Sequence, residues 1–323
     1  MRVAAIDVGT NTLLLLIAER RSDGTLGAVV EAATITRLGE GVDRSRRFAP
    51  AAVARTCACL ERYAQTVREY GARSVAVVGT SAMRDAGGGE EIRACVRSAF
   101  GVEARVLTGS EEARLTFRGG LSGIAGVERE EVAVFDVGGG STEVVIGRND
   151  SSAPMLRFSD SFDIGSVRLT ERHVSHDPPT AAELDTIEAV ATRAFARVAP
   201  IGPGRPPVGV AGTVTTLAAV ALGLVPYRGA EVHGRTLQTE DLRRVVHDLS
   251  GMDRVTRETV AGMEVKRADV IVAGGLITLA LLRHWGAHSL IVSDRGVRWG
   301  LAEELFANSI APSSGGSPGA ARP

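Results

Sequence analysis

Lysine is almost missing from this chain: Lys266 is the only one among 37 basic residues in a length of 323. The bias toward arginine is compositional and names no function. Neither sign of charge is in excess, since 37 basic and 38 acidic residues leave a formal net charge of −1. A general attraction to nucleic acid polymers is therefore excluded, and a phosphate-rich ligand would have to meet locally clustered arginines. Cysteine is scarce and odd in number, with Cys57, Cys59 and Cys95 at spacings that suit no metal site. Cys57 and Cys59 fall in a helical pattern, where positions two apart face different ways, so they read as buried small apolar residues. A reducing, cytoplasmic location is the expectation. Long apolar runs are lacking too. Asp7 interrupts the first, so no signal peptide is expected, and no run reaches the ~20 residues that span a membrane. What is left is a hydrophobic content of 44%, ordinary for a globular protein, and enough chain for about two cores.

Within that plain background, Val132 to Gly147 reads as a buried strand ending in Asp136, a turn Gly138-Gly139-Gly140-Ser141-Thr142, and a second strand beyond Glu143. Consecutive glycines allow backbone conformations that a Cβ forbids and let successive N–H groups face one concavity, which suits phosphate oxygens. The carboxylates of Asp136 and Glu143 flank that concavity and are the donors a hard cation such as magnesium prefers. Val3 to Thr12 repeats the pattern, with Asp7 in the place of Asp136 and Gly9-Thr10-Asn11-Thr12 in the place of the glycine turn. A repeat of this kind bears directly on architecture. Two copies predict two similar α/β domains facing each other across one cleft, over residues 1–126 and 127–308. The Pro/Gly/Ser-rich remainder, 309–323, is expected to be disordered.

Strands and helices alternate between and beyond the hairpins. Ser22-Asp23-Gly24 is a turn, Ala28 to Thr36 a third strand, Leu38 to Asp43 a loop, and Pro50 to Tyr70 an amphipathic helix. Thr80 to Asp85 leaves the C-terminal end of the strand Ser74 to Val78, where open α/β sheets place ligands. Arg84 there is either a bidentate phosphate clamp or a surface arginine paired with Asp85. Thr108 to Leu115 opens a helix whose first turn carries Glu111 and Glu112. Both suit the macrodipole, but the helix leads straight into the second hairpin. A glutamate there is expected to have a depressed pKa and to orient a water as a carboxylate. Thr180 with Glu183 predicts a capping box. Gly209 to Thr216 is a strand turning into a helix N-terminus, His233 reads as structural, and Arg267 to Gly275 begins a long apolar helix. Leu290 to Arg298 is a last strand and turn that aims Arg295 and Arg298 at the cleft.

Taken together, the motifs Ile6 to Thr12, Thr80 to Asp85, Gly109 to Leu115, Asp136 to Glu143 and Ser293 to Gly296 resemble the exopolyphosphatase / guanosine pentaphosphate phosphohydrolase (Ppx/GppA) family over residues 3 to 305. The resemblance implies two actin-like, ribonuclease H-like ATPase domains, the fold shared with acetate and sugar kinases, heat-shock ATPases and actin. It implies hydrolytic removal of the terminal phosphate of inorganic polyphosphate or the 5′ phosphate of guanosine pentaphosphate. By resemblance Glu112 is the catalytic residue that positions or deprotonates water, and Asp136 and Glu143 hold Mg2+ or Mn2+. Asn11, Thr12, Arg84, Gly138, Gly139, Gly140, Ser141 and Thr142 match phosphate-contacting positions. A homodimer is a further expectation of the resemblance, and no membrane partner is expected.

Two departures stand near the expected cleft wall: Trp299, where members often carry an acidic residue, and the Gly87-Gly88-Gly89 run. The extra C-terminal helical domains of longer members are not expected here, which leaves chain-length preference open. A small-molecule kinase of the same fold, with Ala273-Gly274-Gly275 as a nucleotide-binding turn, is the alternative activity. A non-catalytic polyphosphate or nucleotide sensor is the alternative class.

Overall fold

The computed structural model describes residues 1–310 apart from 88, 128–129, 150–153 and 203, so the expected disordered tail beyond 310 lies outside the described residues. The N-terminal hairpin joins β1 (Arg2–Val8) to β2 (Thr12–Arg20), and β3 (Leu26–Ile35) adds an antiparallel neighbour. A single helical turn, α1 (Val42–Ser45), closes the expected loop, and Pro50 starts α2 (Pro50–Glu69) from the first helical position, where its missing N–H costs nothing. Then β4 (Ser74–Gly79), α3 (Ser81–Asp85), α4 (Glu90–Phe100) and β5 (Ala104–Val106) complete a sheet of order β3-β2-β1-β4-β5, with β4 and β5 parallel to β1.

Helix α5 (Gly109–Leu121) leads into the second hairpin, β6 (Glu131–Val137) and β7 (Thr142–Arg148), followed by β8 (Met155–Phe162). Helices α6 (Ser166–His173) and α7 (Ala181–Phe195) precede β9 (Val208–Val210), and α7 has the predicted Thr180–Glu183 capping box. The chain continues through α8 (Ala211–Leu222), α9 (Gly229–Val232), β10 (Thr236–Gln238), α10 (Thr239–Ser250) and α11 (Arg254–Glu258). A 3-10 turn (Val265–Arg267), α12 (Ile271–Trp285), β11 (Ser289–Val292) and α13 (Val297–Ile310) finish it. The second sheet has the order β10-β11-β9-β6-β7-β8. Apart from the edge strand β10 it repeats the first: a hairpin, a third antiparallel strand beside it, and two parallel strands on the other side. The sequence repeat is thus a structural duplication.

Every strand of a buried sheet has two faces to cover, and here the outer and inner faces are covered differently. On the outer face of the first sheet Ile6, Leu13 and Leu15 pack under Leu60 of α2 and Val96 of α4. On the outer face of the second, Phe135 and Val144 pack under Phe195, Leu217 and Ile277 from α7, α8 and α12. The inner faces are served by a crossed helix pair. Trp299, Ala302 and Phe306 of α13 cover Val3, Ala5, Leu16 and Ala18 of the first sheet, whereas Ala113, Phe117 and Leu121 of α5 cover Val132, Val134 and Val145 of the second. The last helix therefore belongs to the first sheet's core, and a helix from the N-terminal half to the second's. The two helices cross so closely that a Cβ on Gly119 would stand 2.0 Å from the Gly296 carbonyl oxygen, and one on Gly300 2.3 Å from that of Leu115. Only glycine permits this approach.

Three expectations change here. Cys57 on α2 and Cys95 on α4 form a disulfide, with Cα atoms 5.6 Å apart, because the two helices pack side by side at a separation in sequence that hides the contact. Only Cys59 is a buried free thiol, and the cysteine argument for a reducing compartment falls away. Trp299 is fully buried under the first sheet and takes no part in the cleft wall. Gly274 and Gly275 lie inside α12, where a Cβ would strike Thr213 and Val246, so they serve helix packing and do not form a nucleotide-binding turn. No helix among the described residues is long and apolar enough to cross a membrane.

Candidate active site

The two hairpins point their turns into one cleft of about 930 Å³. From the N-terminal half it is lined by Asp7, Gly9 to Thr12, Ser81 and Glu112, and from the C-terminal half by Asp136, Gly138 to Ser141 and Glu143. Strand register explains the acidic pairing in the second hairpin. Asp136 on β6 stands directly opposite Glu143 on β7, and side chains opposite one another in a ladder share a face. In the first hairpin Asp7 faces Leu14, so that hairpin brings one carboxylate.

The glycine turn is shaped from behind. The backbone N–H of Ser166 donates to the Gly138 carbonyl at 2.9 Å, and those of Val167 and Arg168 donate to the Gly139 carbonyl at 2.9 and 3.0 Å. With the carbonyls held against the start of α6, the N–H groups of Gly139, Gly140 and Ser141 have no intramolecular partner among the described residues. This is the concavity that a phosphate oxygen would enter. The turn also touches the other half of the molecule. A Cβ on Gly140 would lie 2.5 Å from the Ser81 hydroxyl, and one on Gly139 3.2 Å from the side chain of Thr10.

Glu112 reaches the cleft because of its place in the first turn of α5. Thr108 caps the helix and Glu111 completes a capping box with it, so Glu111 is spent on the backbone and its pKa is lowered by those hydrogen bonds. Glu112, one residue on, points inward, is 6% exposed, and accepts a hydrogen bond from Arg84 at 2.6 Å. Burial, then the charge of Glu143, push its carboxyl well above the ordinary carboxylate range against the pull of Arg84. The depressed pKa expected for this residue belongs to Glu111 instead. A carboxylate of raised basicity is a proton acceptor as well as an anchor for water.

The other acids are raised as well. Burial pushes Asp7 up to about 7, with Arg298 opposing and Glu143 adding to the rise. Asp136 is pushed well up by burial, then by Glu143 and Asp7. Glu143 is raised by burial, moderated by hydrogen bonds from Ser141 and Ser161, the latter at 2.7 Å. Asp7 Oδ1 and Asn11 Nδ2 are buried without a hydrogen-bond partner among the described residues. Four buried, mutually repelling carboxylates thus stand in the same cleft as the unpaired N–H groups of the glycine turn.

The remaining expected residues fall into two groups. Asn11, Thr12, Gly138, Gly139, Gly140 and Ser141 line the cleft. Arg84 and Thr142 do not: Arg84 directs Nη1 to Glu112 and the Leu107 carbonyl, and the Thr142 hydroxyl donates to the Ile164 carbonyl at 2.7 Å. As the chain stands Arg84 pairs with Glu112, and Asp85 pairs with Arg168 instead. Of the two C-terminal arginines only Arg298 lines the cleft, while Arg295 stacks on Trp299 at 3.8 Å. His233 is structural as expected, its Nδ1 lying 3.0 Å from Asp294 Oδ1. Sequence reading left out Asp7, although the repeat aligns it with Asp136, and it gave no role to Arg267, which lines the cleft and donates to the Thr12 hydroxyl at 2.9 Å.

Comparison with known proteins agrees with this geometry. The model of the Ppx/GppA phosphatase family matches residues 16–308. The chain is 40% identical to exopolyphosphatase 2 of Mycobacterium tuberculosis, over 94% of this chain and 98% of that one. It is 27% identical to a guanosine-5′-triphosphate,3′-diphosphate pyrophosphatase of Vibrio atlanticus, over 94% of this chain and 59% of the other. Among solved structures, an exopolyphosphatase-like protein superposes with a TM-score of 0.88 at 34% identity, covering 96% of this chain and 100% of that one. A Ppx/GppA member from Aquifex aeolicus gives 0.80 at 32%, covering 96% and 99%. With a duplicated sheet, a two-jawed cleft and these relatives over almost its whole length, the chain belongs to the Ppx/GppA phosphatase family.

Proposed function

We propose that the chain removes the terminal phosphate of inorganic polyphosphate, with a water held and deprotonated by Glu112 as the nucleophile. The observation that carries this reading is Glu112 itself: a buried carboxylate of raised pKa, fixed by Arg84, lining the same cleft as the unpaired N–H groups of the glycine turn. In the step, a water oxygen bonds to the terminal phosphorus, the bridging P–O bond breaks, and the water's proton passes to Glu112. The shortened polyphosphate leaves with the bridging oxygen. Phosphoryl transfer of this kind has a loose transition state, so placement of the water and N–H donors on the equatorial oxygens supply most of the catalysis. Asn11 and Ser141 line the cleft where those oxygens would lie.

Asp136 and Glu143 are the residues that would hold Mg2+ or Mn2+. The donor chemistry fits, since both are hard oxygen ligands on one face of the hairpin, and the orphaned Asp7 Oδ1 lies in the same cleft. No group of three or more His, Cys, Asp or Glu side chains forms a protein-only cage among the described residues. That also suits magnesium, which is commonly held by one or two carboxylates together with substrate phosphates and water. When bound, such an ion supplies charge neutralisation on the phosphates.

One feature favours guanosine pentaphosphate as a second substrate. Beyond the polar floor, Leu224, Val225, Pro226, Tyr227 and Met263 line the cleft, an apolar wall for which polyphosphate has no use and against which a purine ring would pack. A kinase reading loses its support with Gly274 and Gly275 buried in α12. Phosphate release from polyphosphate and from guanosine pentaphosphate, measured at equal terminal-phosphate concentration, tests the assignment. Glu112→Gln is expected to leave binding of polyphosphate largely intact and to lower turnover by about 10³-fold. Equal turnover in the variant would remove Glu112 from the reaction, and consumption of ATP only with an added acceptor would restore the kinase.

A further inference from the structure

Arg168 lies outside the cleft, yet its charged side chain is buried, at 5% exposure. It sits in the first turn of α6, behind the glycine turn. Its Nε donates to the Gly140 carbonyl at 2.6 Å, and its two terminal nitrogens donate to Asp43 and Asp85, both in the N-terminal half of the chain. One terminal nitrogen also stands 3.5 Å from the Ser81 hydroxyl. Arg172, one turn later, donates twice more to Asp43, at 2.5 and 2.6 Å. The guanidinium therefore ties the phosphate-binding turn to the opposite jaw. What makes this more than an interdomain clasp is the identity of Asp85. It adjoins Arg84 in α3, and Arg84 is the residue that holds Glu112.

We infer that Arg168 is a positioning residue, which sets the distance between Glu112 and the glycine turn through the continuous line Gly140, Arg168, Asp85, Arg84, Glu112. The inference rests on the hydrolytic reading of Glu112 given above. Two parts of a reaction centre are contributed by different halves of the chain, and the barrier depends steeply on their spacing. A rigid planar fork reaches a carbonyl and two carboxylates at once, which a lysine ammonium on a flexible stem does not reproduce. The turn has no freedom to compensate, because its carbonyls are fixed by α6 and its Cα atoms lie against Thr10 and Ser81.

The test compares Arg168→Lys and Asp85→Asn with the parent and with Glu112→Gln, on polyphosphate and with thermal unfolding as the check on folding. Asp85→Asn keeps Arg168 in place, so it serves where the arginine variant does not fold. Expected for both is a fall in kcat of about 10- to 100-fold with KM within about threefold, the penalty of a small misplacement of reacting groups. In the Glu112→Gln background the same substitutions are expected to cost less than about threefold more, since the base they align is already gone. A KM-only effect, or the full loss repeated in that background, overturns the inference. Hydrogen exchange gives a readout that needs no turnover. Arg168→Lys should raise exchange at residue 138 and at 166–168, whose N–H groups donate within or to the turn, and at 111–112 together, while exchange raised only at the first set would break the line to Glu112. A parent without phosphate release, with that paired exchange response intact, would sink the functional reading and leave the coupling standing.

Discussion

The two hairpins descend from one pattern and have been put to different uses. In the first, the turn is Gly9-Thr10-Asn11 and the residue facing Asp7 is Leu14; in the second, the turn is three glycines and the residue facing Asp136 is Glu143. The chemistry follows from those differences. The second hairpin has two carboxylates on one face and three unpaired N–H groups, which suits a cation and a phosphate. The first offers one carboxylate and side chains, Asn11 and Thr12, and it also acts as the wall against which the second is pressed. The glycines at 139 and 140 are required as much by that contact with Thr10 and Ser81 as by any ligand. A duplicated fold has in this way separated a paired-carboxylate turn with open N–H groups from the wall that supports it.

That division can be broken in three places. The largest effect is expected on metal activation. Asp136→Asn should raise the magnesium concentration for half-maximal activity by about 100-fold, at least the loss known for outer partners of a metal. Asp7→Asn should shift it far less, and equal shifts in a metal titration would make the hairpins equivalent. The next concerns pH. Asp7 binds its proton more tightly folded, near 7, than at its ordinary 3.8, so between those values the folded state holds more protons than the unfolded one. Asp7 should therefore make the stability of the metal-free protein fall as pH rises from about 4 to 7, contributing at most about 1.4 kcal/mol for each step of one in pH beside what the other raised carboxylates add. Asp7→Asn should flatten that fall in urea titrations; a pH dependence unchanged by the substitution would count against a raised Asp7. The smallest effect separates the two threonines that follow the turns. Thr142→Val leaves the Ile164 carbonyl without its buried donor and should cost about 1–2 kcal/mol of stability with KM unchanged. Thr12→Val frees Arg267 and should move KM by about two- to tenfold with little loss of stability. A reversed pattern would mean the roles had been assigned to the wrong hairpin.

Much of this was legible in the chain because it is local. The Thr180 capping box, the Pro50 helix start, the strand of each hairpin and the repeat itself depend on neighbours within a few residues. Glu112 was found by its motif, but its electrostatics were not, because adjacent glutamates at 111 and 112 look alike until the helix turn sends one to the backbone and the other into the cleft. Contacts between residues distant in sequence were missed. Cys57 meets Cys95 across two helices, Arg84 meets Glu112 across a sheet edge, and Trp299 is buried by a sheet whose first strand lies at the opposite end of the chain. Arg168 carried no signal of its own, since an arginine on an amphipathic helix is ordinarily a solvated one.

The crossing of α5 and α13 has a consequence for how the molecule comes to exist. Because α13 covers the inner face of the first sheet, Val3, Ala5 and Leu16 lack that cover until a helix about 280 residues further along has been synthesised. The first sheet thus emerges well before the helix that completes its core, with a hydrophobic face exposed in the meantime. Contacts so far apart in sequence are slow to form, and closure of the first sheet's core should wait on them.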